Sequence, residues 1–141
     1  MKKSLINVTK HSGKMDGIPS ISTSCILNAR CQKRVSCNKS VCHNCFAHSY
    51  MKFRKELREA LERNFHILTE RILTKEEIVA LNINVCFFRF ESFGDLNNDI
   101  QLINYVKICR KNYTGFQFKG IISCLRKSVN MIRYCNPKDE R

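Results

Sequence analysis

The chain has few residues that break regular structure: two prolines and five glycines in 141 residues. That scarcity excludes a low-complexity linker, and a hydrophobic content of 43% supports a packed core. Long apolar runs are also missing, since none approaches the roughly 18 residues that a membrane span requires. The opening MKKSLINVTKHSG is positively charged, but its apolar stretch is too short and too polar for a secretory leader. The expectation is therefore an intracellular protein without a membrane partner, forming one domain over residues 1–141. Acidic residues are scarce as well, 12 Asp/Glu against 25 Lys/Arg, for a net charge of +13.

That charge is unevenly spread. Residues 1–63 carry 13 Lys/Arg against 4 Asp/Glu, residues 64–105 carry 3 against 6, and residues 106–141 carry 9 against 2. An acidic middle between basic ends predicts a localised positive surface, suited to phosphates or an acidic partner.

Cysteine, in contrast, is abundant. There are nine, an odd number, and Cys25, Cys31, Cys37, Cys42 and Cys45 fall within 21 residues. In a reducing compartment such crowding points to a metal rather than to disulfides. Cys42-x-x-Cys45 lets two thiolates reach one centre from a tight turn. For zinc the predicted ligands are Cys31, Cys37, Cys42 and Cys45, with His48 or Cys25 as substitutes; for a 4Fe–4S cluster they are Cys37, Cys42 and Cys45, with Cys31 as the fourth or one iron left open to a small molecule. Spacing alone does not choose between the two. Cys86, Cys109, Cys124 and Cys135 fall on apolar faces, where a thiol packs as a small hydrophobe.

Periodicity predicts a short strand in SLINVT, an irregular cysteine loop over residues 25–48, and one amphipathic helix from about Ser49 to Ile72. Its core face comprises Tyr50, Phe53, Leu57, Ala60, Leu61, Asn64, Leu68 and Ile72. TKEE at residues 74–77 is a capping box opening a short helix. Val85–Phe90 reads as a buried strand, and Asn98 with Gln101 as the cap of a helix facing the core through Ile100, Ile103, Val106, Ile108 and Cys109. NYTGFQF suggests another strand, and Ile121, Leu125, Val129 and Ile132 line a final helix. This order predicts an α/β fold: a small partial-barrel-like or open parallel sheet of three to four strands, crossover helices, and a metal-ordered cysteine loop. Residues 113–141 form a basic C-terminal segment.

Several blocks carry a resemblance: GIPSISTS, CQKRVSCNKSVCHNCFAHSYMKFR, LREALERN and FFRFESFGDLNNDIQLINYVKICRKN, spanning roughly residues 14–112. They resemble the phage family called gene product 88, which implies a phage or prophage origin and the cytoplasm of a bacterial host. The family's cysteine loop is in turn similar to that of radical S-adenosylmethionine enzymes. On that resemblance Cys37, Cys42 and Cys45 would hold an iron–sulfur cluster, and Glu91 and Asp95 would contact the cosubstrate S-adenosylmethionine. Here the first gap, Cys37-x4-Cys42, is one residue longer than in those enzymes, and the chain holds about three βα units where a barrel needs roughly six to eight.

The expectation is accordingly a truncated or diverged copy that binds rather than catalyses. Lys33, Arg34, Lys39, Lys52, Arg54, Lys55 and Arg58 surround the cysteines, and Tyr50 and Phe53 offer stacking surface. The expected partner is RNA, single-stranded DNA or a host nucleoprotein, and phage origin suggests an inhibitor of host nucleic-acid-guided defence of the anti-CRISPR kind. An iron–sulfur enzyme and a structural zinc module are the alternatives.

Overall fold

A computed structural model describes residues 4–85 and 88–112, together with the backbone of residues 132–133. The expected strand in NYTGFQF, most of the expected final helix, and Cys86, Cys124 and Cys135 lie outside the described residues. The fold mixes helices with a small sheet. Strand β1 (Ser20–Ile21) is followed by helices α1 (Ala29–Val35), α2 (Phe46–Phe53), α3 (Lys55–Glu70) and α4 (Lys75–Ala80). Strand β2 (Arg89–Phe90), helix α5 (Asp99–Asn112) and strand β3 (Ile132–Arg133) complete the order.

The expected parallel sheet of three to four strands is corrected. The three short strands lie in the order β1-β2-β3, and only β1 and β2 are parallel, with Ser20 opposite Arg89 and Ile21 opposite Phe90. β3 runs antiparallel to β2, so Ile132 belongs to a strand and not to a final helix. SLINVT contributes only an isolated bridge from Thr9 to Ser20. The parallel ladder is short because the residues beyond it bond through side chains. Ser22 Oγ accepts from the Ser92 amide at 2.9 Å, and Glu91 Oε2 accepts from the Thr23 amide at 3.2 Å.

The cysteine segment is more regular than expected. Asn28 caps α1 by accepting from the amides of Arg30 and Cys31. A 3-10 turn over Val41–Asn44 then leads into α2, with Ser40 Oγ accepting from the Cys42 amide.

The single long helix expected from Ser49 onward is two helices, broken at Arg54, whose φ of −117° and ψ of 78° are not helical. Phase explains the break. At 3.6 residues per turn, Met51 would lie about 80° from Leu61 and about 140° from Asn64 around one continuous helix. All three are buried, and the kink allows it. Phe53 and Ile72, expected in the core, are 85% and 42% exposed.

The capping box forms as expected: Thr74 Oγ1 accepts from the Glu77 amide, and Glu77 accepts from the Thr74 amide. Asn98 Oδ1 likewise accepts from the Gln101 amide at 3.0 Å. The face of α5 differs from expectation. Ile103 is exposed, whereas Gln101, Asn104 and Tyr105 are buried beside Ile108 and Cys109.

The main core gathers Ile6, Ile21, Leu68, Leu73, Ile78, Leu81, Phe88, Phe90, Tyr105, Ile108 and Cys109. Full burial of one large aliphatic side chain is worth about 1.5–3 kcal/mol. A second, smaller cluster of Cys25, Met51 and Leu61 underlies the cysteine segment. Among the described residues no helix is long and apolar enough to cross a membrane.

Candidate functional site

Because β1 and β2 are parallel, their carboxyl ends emerge side by side, the position where open α/β sheets usually receive ligands. There the chain encloses a cavity of about 160 Å³. The β1 end contributes Cys25; α1 contributes Cys31 and Arg34; the 3-10 turn contributes Cys42; and Cys45 is the residue that caps α2. The β2 end closes the other side with Ser92, Phe93, Gly94 and Asp95.

Three of the four predicted metal ligands, Cys31, Cys42 and Cys45, thus share this cavity, but Cys37 does not line it and is exposed. Cys25, which the sequence offered only as a substitute, takes its place in the lining. These cysteines are free thiols, as are Cys37 and the buried Cys109. Burial pushes the Cys25 thiol up to about 11, with the Cys45 charge adding to the effect. Burial, followed by the charges of Asp95 and Cys25, pushes Cys31 up to about 12. Four thiols in one lining suit a thiophilic metal, zinc or iron–sulfur, and would need such a cation to draw the protons off. Among the described residues no three His, Cys, Asp or Glu side chains are drawn together closely enough to hold an ion as they stand.

The two carboxylates have different surroundings. Asp95 lines the cavity, takes a hydrogen bond from Arg34 Nη1 at 3.4 Å, and has its pKa raised by burial against the pull of the Leu96 amide and Arg34. Glu91 is turned into the interior. Oε1 accepts from Thr23 Oγ1 at 2.9 Å, from Gln101 Nε2 at 2.7 Å and from the Tyr105 hydroxyl. Burial raises Glu91 to about 7 although these donors favour its charged form. Its φ of 51° lies in the left-handed region, which few non-glycine residues occupy. Gly94 makes this packing possible. A Cβ there would stand 2.5 Å from Glu91 Oε2 and 2.7 Å from the Thr23 carbonyl oxygen.

Beside the cavity runs a row of stacked rings. Phe46 lies 5.3 Å from Tyr50, Tyr50 lies 5.9 Å from Phe93, and Phe93 lies 6.3 Å from His11, with interplanar angles of 28°, 12° and 28°. The Arg54 guanidinium sits over Tyr50 at 5.3 Å. Phe46 is 71% exposed. A hydrogen-bonded chain runs inward from His11 Nε2 to Ser20 Oγ at 2.7 Å, then to Ser92 Oγ at 2.9 Å and Ser22 Oγ at 2.8 Å. Burial and the charge of Arg89 lower the pKa of His11.

Of the predicted cations, Lys33, Lys39, Lys52, Arg54 and Lys55 are exposed, while Arg34 and Arg58 are half-buried. Arg34 is committed to Asp95, and Lys55 pairs with Glu59 at 3.9 Å. Phe93, Ser92 and His11 were not singled out from the sequence. Ser92 and Phe93 lie far along the chain from the cysteines of residues 25–45 and come beside them through the parallel pairing of β1 with β2, and the bridge from Thr9 to Ser20 brings His11 to β1. Compared with protein-family models, curated proteins and solved structures, the chain matches none.

Proposed function

We propose that this chain binds single-stranded nucleic acid, RNA or DNA, on the face carrying the Phe46–Tyr50–Phe93–His11 row, with a metal ordering the cysteine segment beneath. The carrying observation is the stacked row itself. Single-strand binders use planar side chains as platforms, because every base has a π-face. Lys33, Lys39, Lys52, Arg54 and Lys55 on the neighbouring elements support backbone contact. In this reading the protein is of phage or prophage origin and acts on RNA, single-stranded DNA or a host nucleoprotein, as an anti-CRISPR-like inhibitor would. Fluorescence anisotropy with labelled single-stranded RNA and DNA tests the binding. Affinity should fall steeply between about 50 and about 200 mM salt if phosphate contacts dominate. No binding, or an affinity indifferent to salt, would reject it.

A second reading is favoured by one observation, the cysteine-lined cavity at the carboxyl ends of two parallel strands with Asp95 in its wall. Under it the chain is an iron–sulfur enzyme related to radical S-adenosylmethionine proteins, or a remnant of one. The cluster would supply an electron to the cosubstrate, and Asp95 would help orient it. Brown protein from anaerobic purification, whose visible spectrum shifts on adding S-adenosylmethionine, is the expected mark. A colourless zinc protein that unfolds on chelation and ignores nucleic acid would instead be a structural module.

A further inference from the structure

We infer that Cys25, Cys31, Cys42 and Cys45 form a four-thiolate centre for a thiophilic metal, either zinc or an iron–sulfur cluster, and that Cys37 is not a ligand. The inference rests on the metal-ordered segment of the proposed function and is independent of nucleic-acid binding.

Four different elements deliver these sulfurs to one cavity. Cys25 follows β1, and its carbonyl is held by Gln32 Nε2 at 3.0 Å, which ties it to α1. Cys31 stands in the first turn of α1, behind the Asn28 cap. Cys42 and Cys45 are joined across the 3-10 turn by the Cys45 amide donating to the Cys42 carbonyl at 3.1 Å, and both line the cavity.

Cys37 has another task. Its amide donates to the Arg34 carbonyl at 3.2 Å and its carbonyl accepts from Ser40 at 3.0 Å, making it a turn residue in an exposed link. The cavity wall also carries charge of both signs: Arg34, paired with Asp95, and Arg89 line it beside the four thiols. Zinc would require the sulfurs to draw in to about 2.3 Å from the ion, closer than the described side chains stand, in a segment that rests on a small cluster of its own.

The test compares the full-length protein with Cys25→Ser, Cys42→Ser and Cys37→Ser, each purified without oxygen and measured for zinc, iron and acid-labile sulfide. The expected result is metal retained by the parent and by Cys37→Ser at equal stoichiometry, and lost from Cys25→Ser and Cys42→Ser. Iron with sulfide and visible absorption identifies a cluster, and zinc in colourless protein identifies a single ion. Because serine at buried position 25 could prevent folding, the parent is also alkylated with and without a chelator and mapped by mass spectrometry. Chelation should expose Cys25, Cys31, Cys42 and Cys45 together while Cys37 is labelled equally in both states. Metal kept by Cys25→Ser, or lost from Cys37→Ser, overturns the ligand set but leaves the metal-ordered segment standing. A parent protein with neither zinc nor iron overturns both.

Discussion

The ring of Tyr50, on α2, lies 5.9 Å from that of Phe93, just past β2, with planes only 12° apart. This stack joins the cysteine segment to the carboxyl end of the sheet, and places an aromatic surface beside the thiol-lined cavity.

Phe46→Ala should separate binding from folding. The ring is 71% exposed, so removing it should leave the urea midpoint unchanged. Affinity for a single-stranded oligonucleotide should drop by about 1–3 kcal/mol if one base stacks there. Arg54→Ala should also lower the slope of log affinity against log salt, which Phe46→Ala should not.

Gly94→Ala should destabilise the fold by about 1–3 kcal/mol, because the new methyl group would press on the Glu91 carboxylate and the Thr23 backbone. Urea unfolding monitored by circular dichroism gives the value. An unchanged midpoint would show that this approach is looser than described.

Stability should depend on pH through Glu91. Its folded pKa, about 7, lies above the ordinary 4.5, so between those values the folded state binds more protons than the unfolded one. The contribution is therefore fully present below about pH 4.5 and is lost as pH rises through about 7. The groups facing the carboxyl are Thr23, Gln101 and Tyr105, with Asp95 adding negative charge. Thermal unfolding from acid to neutral pH should show a downward slope in this window that Glu91→Gln flattens. A slope that survives the substitution would assign it elsewhere.

Asn104→Ala should cost about 3 kcal/mol. The side chain accepts from the Leu73 amide at 2.8 Å and donates to the carbonyls of Leu68 and Arg71 at 2.9 and 2.8 Å. Removing it leaves buried backbone groups unmatched. Asn104→Leu should not restore the loss, which distinguishes lost hydrogen bonds from lost volume.

What could be read beforehand was whatever depends on near neighbours. The Thr74–Glu77 capping box and the Asn98–Gln101 cap are completed within four residues, and both formed. Counting apolar residues failed where the interior is polar. Asn104 reaches the α3–α4 link and Gln101 reaches Glu91, whereas Asn64, placed on the core face by its spacing, is buried there and reaches Asn7 and Ser22. Such partners are set by tertiary contact, so periodicity promoted Ile103 to a core position that Asn104 and Gln101 hold instead. The break at Arg54 was hidden for a related reason, since the apolar stripe continues across it in sequence although the helix does not. The cysteines were legible as a crowd but not as a set. Cys37 is closer in sequence to Cys42 than Cys25 is, yet Cys25 reaches the shared cavity because it follows a strand and Cys37 ends in an exposed turn.

The division of the interior has a dynamic consequence. Because the cluster beneath it among the described residues is small, built on Cys25, Met51 and Leu61, the stretch from α1 to α2 should open as a cooperative unit while the larger hydrophobic body stays closed. Amide hydrogens there should exchange with solvent ahead of those in α3 and α5, and a protease should nick that stretch first.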